Sequence, residues 1–209
     1  MAYEFNGTNQ RLSCPPASTS APMTMACWFY MILGGVKPIL TAGVVGGNDK
    51  FQLYASSGAN GGTGAFVQAA AVGDTGVQNS NLALLTWHHG ASVFSSTTNR
   101  IAYFNGASGT SNTASVSPSG FNTFDIGTRY SPTLGNYLNG RVAEVGIWNA
   151  ALTAAEIASL AKGMTPDKIR PQNLVFYAPL VRNLQDVKGG LAITNNNGAT
   201  VANHPRVYA

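Results

Sequence analysis

The sequence predicts an all-β fold, a two-sheet antiparallel β-sandwich (jelly roll) with one short helix near residues 153–162. Three observations predict it. The first is a series of short runs rich in β-branched and aromatic residues, too short for stable helices. The second is the turn chemistry between them: Gly34-Gly35, Gly46-Gly-Asn-Asp49, Ser57-Gly-Ala-Asn-Gly-Gly62, Asn105-Gly106, Pro118-Ser-Gly120 and Gly135-Asn136. The third is composition, since 24 glycines and 10% charged residues against 44% hydrophobic suit many short strands joined by tight turns. All-β domains commonly reach 209 residues undivided, so residues 1–209 read as a single sandwich domain.

Taken in order, strands are expected at 3–5, 23–31, 39–45, 51–55, 65–71, 81–93, 101–104, 123–126, 140–148 and 174–180. Later strands are expected near 192–194 and 206–208. The run from Gly140 to Trp148 leads straight into the helix. There Thr153 and Glu156 have capping-box spacing, and Gly163 ends the helix. The stretch 165–171 is linker-like and is expected to return the chain to a strand beside the N-terminal one. The C-terminal remainder is too short to hold a core of its own.

Five phrases recur in a definite order: Ala26-Cys-Trp28, Trp87-His88, Tyr103-Phe-Asn-Gly106, Phe124-Asp-Ile-Gly127, and Gly140-Arg-Val-Ala-Glu-Val145 before the capped helix. This order resembles the laminin-G-like branch of the concanavalin A-like lectin and glucanase superfamily over about residues 3–162, and implies a concanavalin A-like jelly roll. One position departs: Ala143 stands where that family usually has Asp, followed by the expected Glu144. The opening Ala2-Tyr-Glu-Phe-Asn-Gly-Thr-Asn-Gln10 and the closing Asn173-Leu-Val-Phe-Tyr-Ala-Pro-Leu180, Asp186-Val-Lys-Gly-Gly190 and Asn203-His-Pro-Arg-Val-Tyr208 resemble the ends of laminin-G-like proteins of tailed bacteriophages and prophages. That second resemblance implies a virion component, a capsid decoration or cement protein on the particle exterior, with glycan adhesion as an added role. The alternative it leaves is a carbohydrate-binding module or a tail-associated adhesin.

The net charge of +4 is unevenly placed. Residues 160–209 hold six bases (Lys162, Lys168, Arg170, Arg182, Lys188, Arg206) and two acids (Asp167, Asp186), while the six bases and six acids before them cancel. The plain reading is a solvated face; the sharper one is a capsid-docking face of Lys162, Lys168, Arg170 and Arg182, steered by charge complementarity. These bases lack aromatic interleaving, so nucleic acid is not an expected partner. No segment has the length of a membrane span, and the start has no secretory pattern, so the expected location is the virion, after synthesis in the host cytoplasm. The expected partners are the major capsid protein or other virion proteins, further copies of the chain in a homo-oligomer, and a surface polysaccharide.

No catalytic constellation stands out, and the chain is not expected to be an enzyme. The eight acids (Glu4, Asp49, Asp74, Asp125, Glu144, Glu156, Asp167, Asp186) are scattered, without the paired carboxylates that glycosidic cleavage needs. His88 and His89 are neighbours on one strand and point to opposite faces, so they do not chelate one ion, and one of them reads as a hydrogen-bonded core histidine. No cofactor is expected and calcium is not indicated. Asn48, Asp49 and Tyr130 lie in loops and are the candidates for holding a sugar, although Asn and Asp in Gly-rich turns mainly stabilise the turn. Trp28, Trp87 and Trp148 fall within strands and read as core. Cys14 and Cys27 read as free thiols, because the producing compartment is reducing.

Overall fold

The computed structural model describes residues 1–58, 65–71, 77–79, 82–130 and 133–208, leaving out the side chains of 65–68, 77–79 and 130. The strands of the first half are β1 (Ala2–Asn6), β2 (Arg11–Cys14), β3 (Met23–Met31), β4 (Val36–Gly43), β5 (Lys50–Ser57), β6 (Ala65–Ala71), β7 (Val77–Asn79), β8 (Trp87–Ser96), β9 (Asn99–Phe104) and β10 (Ala107–Ser108). The second half adds β11 (Thr123–Ile126), β12 (Arg129–Tyr130), β13 (Leu134–Gly135), β14 (Asn139–Trp148), helix α1 (Ala154–Ala161), β15 (Leu174–Ala178), β16 (Thr194–Asn196) and β17 (Thr200–Ala202). They build two antiparallel sheets and a small hairpin. The eight-stranded sheet runs β10-β9-β8-β3-β14-β1-β17, with β15 also on β14, and the seven-stranded sheet runs β16-β2-β11-β4-β5-β6-β7.

Alternation along the strands explains the layers. Met23, Met25, Cys27, Phe29 and Met31 of β3 point inward and meet Leu12, Leu40, Leu53, Phe124 and Ile126 from the other sheet, all buried in one cluster. Gly90 of β8 is glycine for a packing reason: a Cβ there would lie 2.9 Å from the Phe29 ring. Cys14 and Cys27 are free and buried in this core. Burial pushes the Cys14 thiol up to about 12 and raises that of Cys27 further.

A second, smaller core lies outside the eight-stranded sheet, where Ala26, Ala91, Val93, Tyr103 and Trp148 pack against Leu152, Ile157 and Leu160 of the helical segment. The helix forms as the spacing predicts, with Thr153 Oγ1 accepting from Glu156 N at 3.3 Å and Glu156 Oε2 accepting from Thr153 N at 2.7 Å. Gly163 comes after it at φ +100°, a conformation that suits glycine.

The structure corrects the sequence reading at several places. The strand after the linker, β15, pairs with β14 and not with the N-terminal strand; β1 pairs instead with β17, Tyr3 opposite Val201. β14 thus has one edge shared by two partners, β1 before residue 143 and β15 after it, and the register shifts between Ala143 and Gly146 with Glu144 at φ 55°. That is a bulge, and it re-aims the strand at the exchange. The strand expected at 81–93 begins only at Trp87, and Tyr208 makes an isolated bridge to Met164 instead of a strand. Strands β2, β7, β10, β12, β13 and β17 were not expected, being two to four residues long. The tryptophans also divide. Trp148 is wholly buried, its ring over Gly146 and its Nε1 donating to Ile169 O at 2.8 Å, whereas Trp28 and Trp87 point away from the inner core and are half-buried.

Candidate functional site

Four connections meet at one rim of the sandwich: β2–β3, the β4–β5 turn, the β8–β9 turn and the long segment 109–122. They enclose an open cleft of about 500 Å³ lined by Ser20, Ala21, Phe51, Ser95, Ser96, Thr97, Val116, Ser117, Pro118 and Ser119. Its chemistry is hydroxyl-rich and uncharged, over an apolar floor. Phe51 is fixed there by stacking on Phe94 at 4.2 Å between ring centroids, with Phe121 edge-on at 5.4 Å.

Backbone and buried polar contacts hold the walls. Arg100, only 1% exposed, donates to Ala114 O at 3.0 Å and to Asn112 Oδ1 at 2.8 Å, which pins the start of the long segment. Val116 N bonds to Thr97 O at 2.9 Å and ties that segment to the β8–β9 turn. Asn122 Oδ1 accepts from Val45 N at 2.9 Å, and Asp49 Oδ2 accepts from Ser119 N at 2.8 Å, so both join it to the β4–β5 turn. A site built in this way has its hydroxyls in place before any ligand arrives, which limits the ordering cost of binding.

The sequence candidates fall around this rim in different ways. Asp49 stands behind the wall as a brace for Ser119, and Asn48 is exposed at the turn with its carbonyl 3.4 Å from Lys50 Nζ. The Tyr130 side chain lies outside the described residues; the backbone of β12 pairs with β13, Tyr130 opposite Leu134. Its neighbour Arg129 donates to Tyr54 OH at 3.3 Å and comes near enough to Lys50 to help lower the Lys50 ammonium pKa, after the larger effect of burial. The four bases of the supposed docking face do not share one environment. Arg170 is engaged by Glu156 at 2.8 and 2.7 Å and by Ala151 O at 3.1 Å. Lys168 pairs with Asp167 at 3.2 Å, Lys162 lines a separate small hollow with Ser159, Met164 and Tyr208, and Arg182 sits beside Met1 Sδ at 3.4 Å.

The acids, too, are accounted for by structure. Asp125 meets Arg11 at 2.7 Å, Glu4 meets Arg141 at 2.5 Å, and Glu144 accepts from Tyr177 OH at 2.6 Å. Asp186 accepts backbone N–H bonds from Tyr177, Lys188, Gly189 and Leu191 at 2.9 to 3.1 Å. Asp74 lies outside the described residues. Among the described residues no acid lines the cleft and no group of three or more His, Cys, Asp or Glu is placed to hold a metal ion. His88 is the hydrogen-bonded core histidine, with Nε2 3.0 Å from Ala83 O and Nδ1 3.2 Å from Asn105 Nδ2. The lining residues were passed over in the sequence because single Ser and Thr in loops are ordinary; the signal was their density in Ser95-Ser-Thr-Thr98 and in residues 111–119.

The sequence matches the family described as the concanavalin A-like lectin/glucanases superfamily, laminin G type, over residues 6–158. No curated protein sequence matches the chain. Among solved structures, a heptameric SAP-like pentraxin from Limulus polyphemus is similar at 16% identity and a TM-score of 0.59, covering 77% of this chain and 81% of that one. A candidate carbohydrate-binding protein from Bacteroides ovatus is similar at 18% identity and a TM-score of 0.66, covering 97% of this chain but 61% of its own. Domain 4 of an extracellular arabinanase from Geobacillus stearothermophilus, in complex with arabinotriose, is similar at 15% identity and a TM-score of 0.53, covering 77% and 76%. At these identities the likeness is one of fold.

Proposed function

The chain belongs to the concanavalin A-like lectin/glucanase superfamily, and from that premise we propose that it is a non-catalytic module that binds a neutral glycan in the rim cleft. The observation that carries this reading is the cleft itself, which offers six hydroxyl side chains, an apolar floor and no formal charge. Sugar hydroxyls exchange hydrogen bonds with such a wall, while the C–H face of a pyranose or furanose covers the Phe51 edge, Val116 and Pro118. Support by analogy of fold comes from the arabinotriose complex and the carbohydrate-binding protein of Bacteroides. The non-catalytic part rests on the acids: no described one lines the cleft, and Asp49, the one beside it, is occupied behind the wall by Ser119 N. A glycan microarray probed with the full chain tests the reading: retention on neutral glycans supports it, and retention confined to sulfated or uronate-containing glycans contradicts it.

The module's setting is a second proposal, that it is carried on a bacteriophage particle as a decoration protein or tail-associated adhesin. Its support is the resemblance of the terminal phrases. Lys162, Lys168 and Arg182 remain its docking candidates, with Arg170 acting through its hold on Glu156. Mass spectrometry of purified particles tests it, and absence of the protein from particles contradicts it.

A further inference from the structure

The outer face of the eight-stranded sheet is covered over one half by α1 and the linker, and the other half carries a block of rings. Trp28 and Tyr30 of β3 stand directly across from His89 and Trp87 of β8. The Trp28–His89 and Tyr30–Trp87 centroids are each 5.6 Å apart. Trp28, Tyr30 and Trp87 are half-buried, with ring surface left to solvent on a face where charged or small polar side chains would be the soluble choice. Along the next strands the same row continues with Arg141, its guanidinium 4.8 Å from the Tyr30 ring centroid, and Glu4, which accepts from Arg141 Nε at 2.5 Å. That ion pair stays partly open, with side chains 25% and 35% exposed.

Two further features mark the block as a site. Ala143, opposite Trp28 and fully buried, leaves the row under the indole without a charge. His89, 2% exposed, has a buried Nδ1 with no hydrogen-bond partner. A buried polar atom without a partner is costly unless something arrives to satisfy it.

We propose that this half-face is a second glycan-binding site, separate from the rim cleft, at which a hexose-based neutral oligosaccharide stacks on Trp28, Tyr30 and Trp87 and hydrogen-bonds to Arg141 and Glu4. The size of the patch selects the occupant. Three half-buried rings, each of about 150–250 Å² in all, leave roughly 200–400 Å² open, well below the ~800 Å² per partner of a stable protein interface. Rings beside an Arg–Glu pair offer both surfaces that a sugar presents, apolar C–H faces and hydroxyls that donate and accept.

The test uses tryptophan emission of the full chain titrated with laminarihexaose, cellohexaose, maltohexaose and mannohexaose. Trp148 is wholly buried, so a saturable change reports on Trp28 and Trp87. The expected result is such a change with at least one oligosaccharide, weakened about tenfold or more in Trp87→Ala and in Tyr30→Ala. It should persist in Thr97→Phe, which obstructs the rim cleft without adding an indole, so failure of the cleft reading and failure of this one are distinguishable. Circular dichroism on each variant confirms folding, and Arg141→Gln supplies a variant that keeps all the rings. No response to any of the four, or a response unaltered in Trp87→Ala, Tyr30→Ala and Arg141→Gln alike, overturns the proposal. Concentration-dependent dimerisation lost in Trp87→Ala, without oligosaccharide binding, overturns it in favour of a contact between copies.

Discussion

Glu144 accepts a 2.6 Å hydrogen bond from the Tyr177 hydroxyl, and this contact closes the point where β14 changes partner from β1 to β15. The other carboxylate oxygen lies 3.0 Å from His204 Nε2, which brings the C-terminal segment beside the bulge. Burial and the neighbouring carboxylate both push the Tyr177 phenol up, which keeps it protonated as the donor. Tyr177→Phe leaves a buried carboxylate short of one donor and should cost about 1–3 kcal/mol, read from urea unfolding.

Asp186 should matter more. Its one carboxylate accepts four backbone N–H groups that shape the turn after β15. Asp186→Ala orphans all four, and a loss of at least about 3 kcal/mol is expected. Asp186→Asn should recover part of it, since one amide oxygen remains to accept.

The tryptophans separate by stability. Trp148→Ala removes a wholly buried ring and its hydrogen bond to Ile169, so about 3–5 kcal/mol should be lost. That is much of the ~5–15 kcal/mol of an ordinary domain. Trp87→Ala, half-buried, should cost about 1 kcal/mol. Thermal melts of the two variants check the order.

Acid titration should show two opposed contributions. Burial pushes the Asp125 carboxyl from 3.8 up to about 6, against the pull of Arg11 and Thr123. The folded chain then holds that proton longer than the unfolded one, so its stabilisation is present below 3.8 and is lost as pH rises through about 6. Burial pushes His89 from 6.5 down to about 3, so its contribution is present above 6.5 and is lost as pH falls toward 3. His88 acts in the same sense as His89. Between pH 4 and 6 the slopes offset each other. Asp125→Asn should therefore steepen the loss of stability on acidification, by on the order of 2–3 kcal/mol across the window, and His89→Gln should expose a fall in stability as pH rises. Denaturant midpoints at pH 4, 5 and 6 measure both.

Much of the fold could be read from the residues because its signals are local. The runs at 23–31, 65–71 and 123–126 became strands with those bounds, and Asn105-Gly106 forms the two-residue turn between β9 and β10, both at positive φ. The capping box at Thr153 and Glu156 needed nothing beyond four residues. What escaped was non-local. Strands such as Arg11–Cys14 and Thr200–Ala202 are too short to show a period, and become strands only because β11 and β1 offer them an edge. Trp87 and Trp148 look alike in sequence and take the same outer face of the eight-stranded sheet; what separates them is the helical segment that covers Trp148 alone. The rim cleft is assembled from connections up to about a hundred residues apart, so no window along the chain contains it.

The most direct test of the cleft is saturation-transfer NMR of the full chain with neutral oligosaccharides in a Trp87→Ala background, which removes the sheet-face rings from the readout, comparing that protein with the same protein carrying Thr97→Trp or Ser117→Trp. Both positions are exposed, so the indoles fill the cleft without entering the core. The account predicts transfer to at least one oligosaccharide, lost in both variants at unchanged melting temperature. Transfer that survives both substitutions with undiminished intensity, or no transfer to any neutral oligosaccharide, would contradict it.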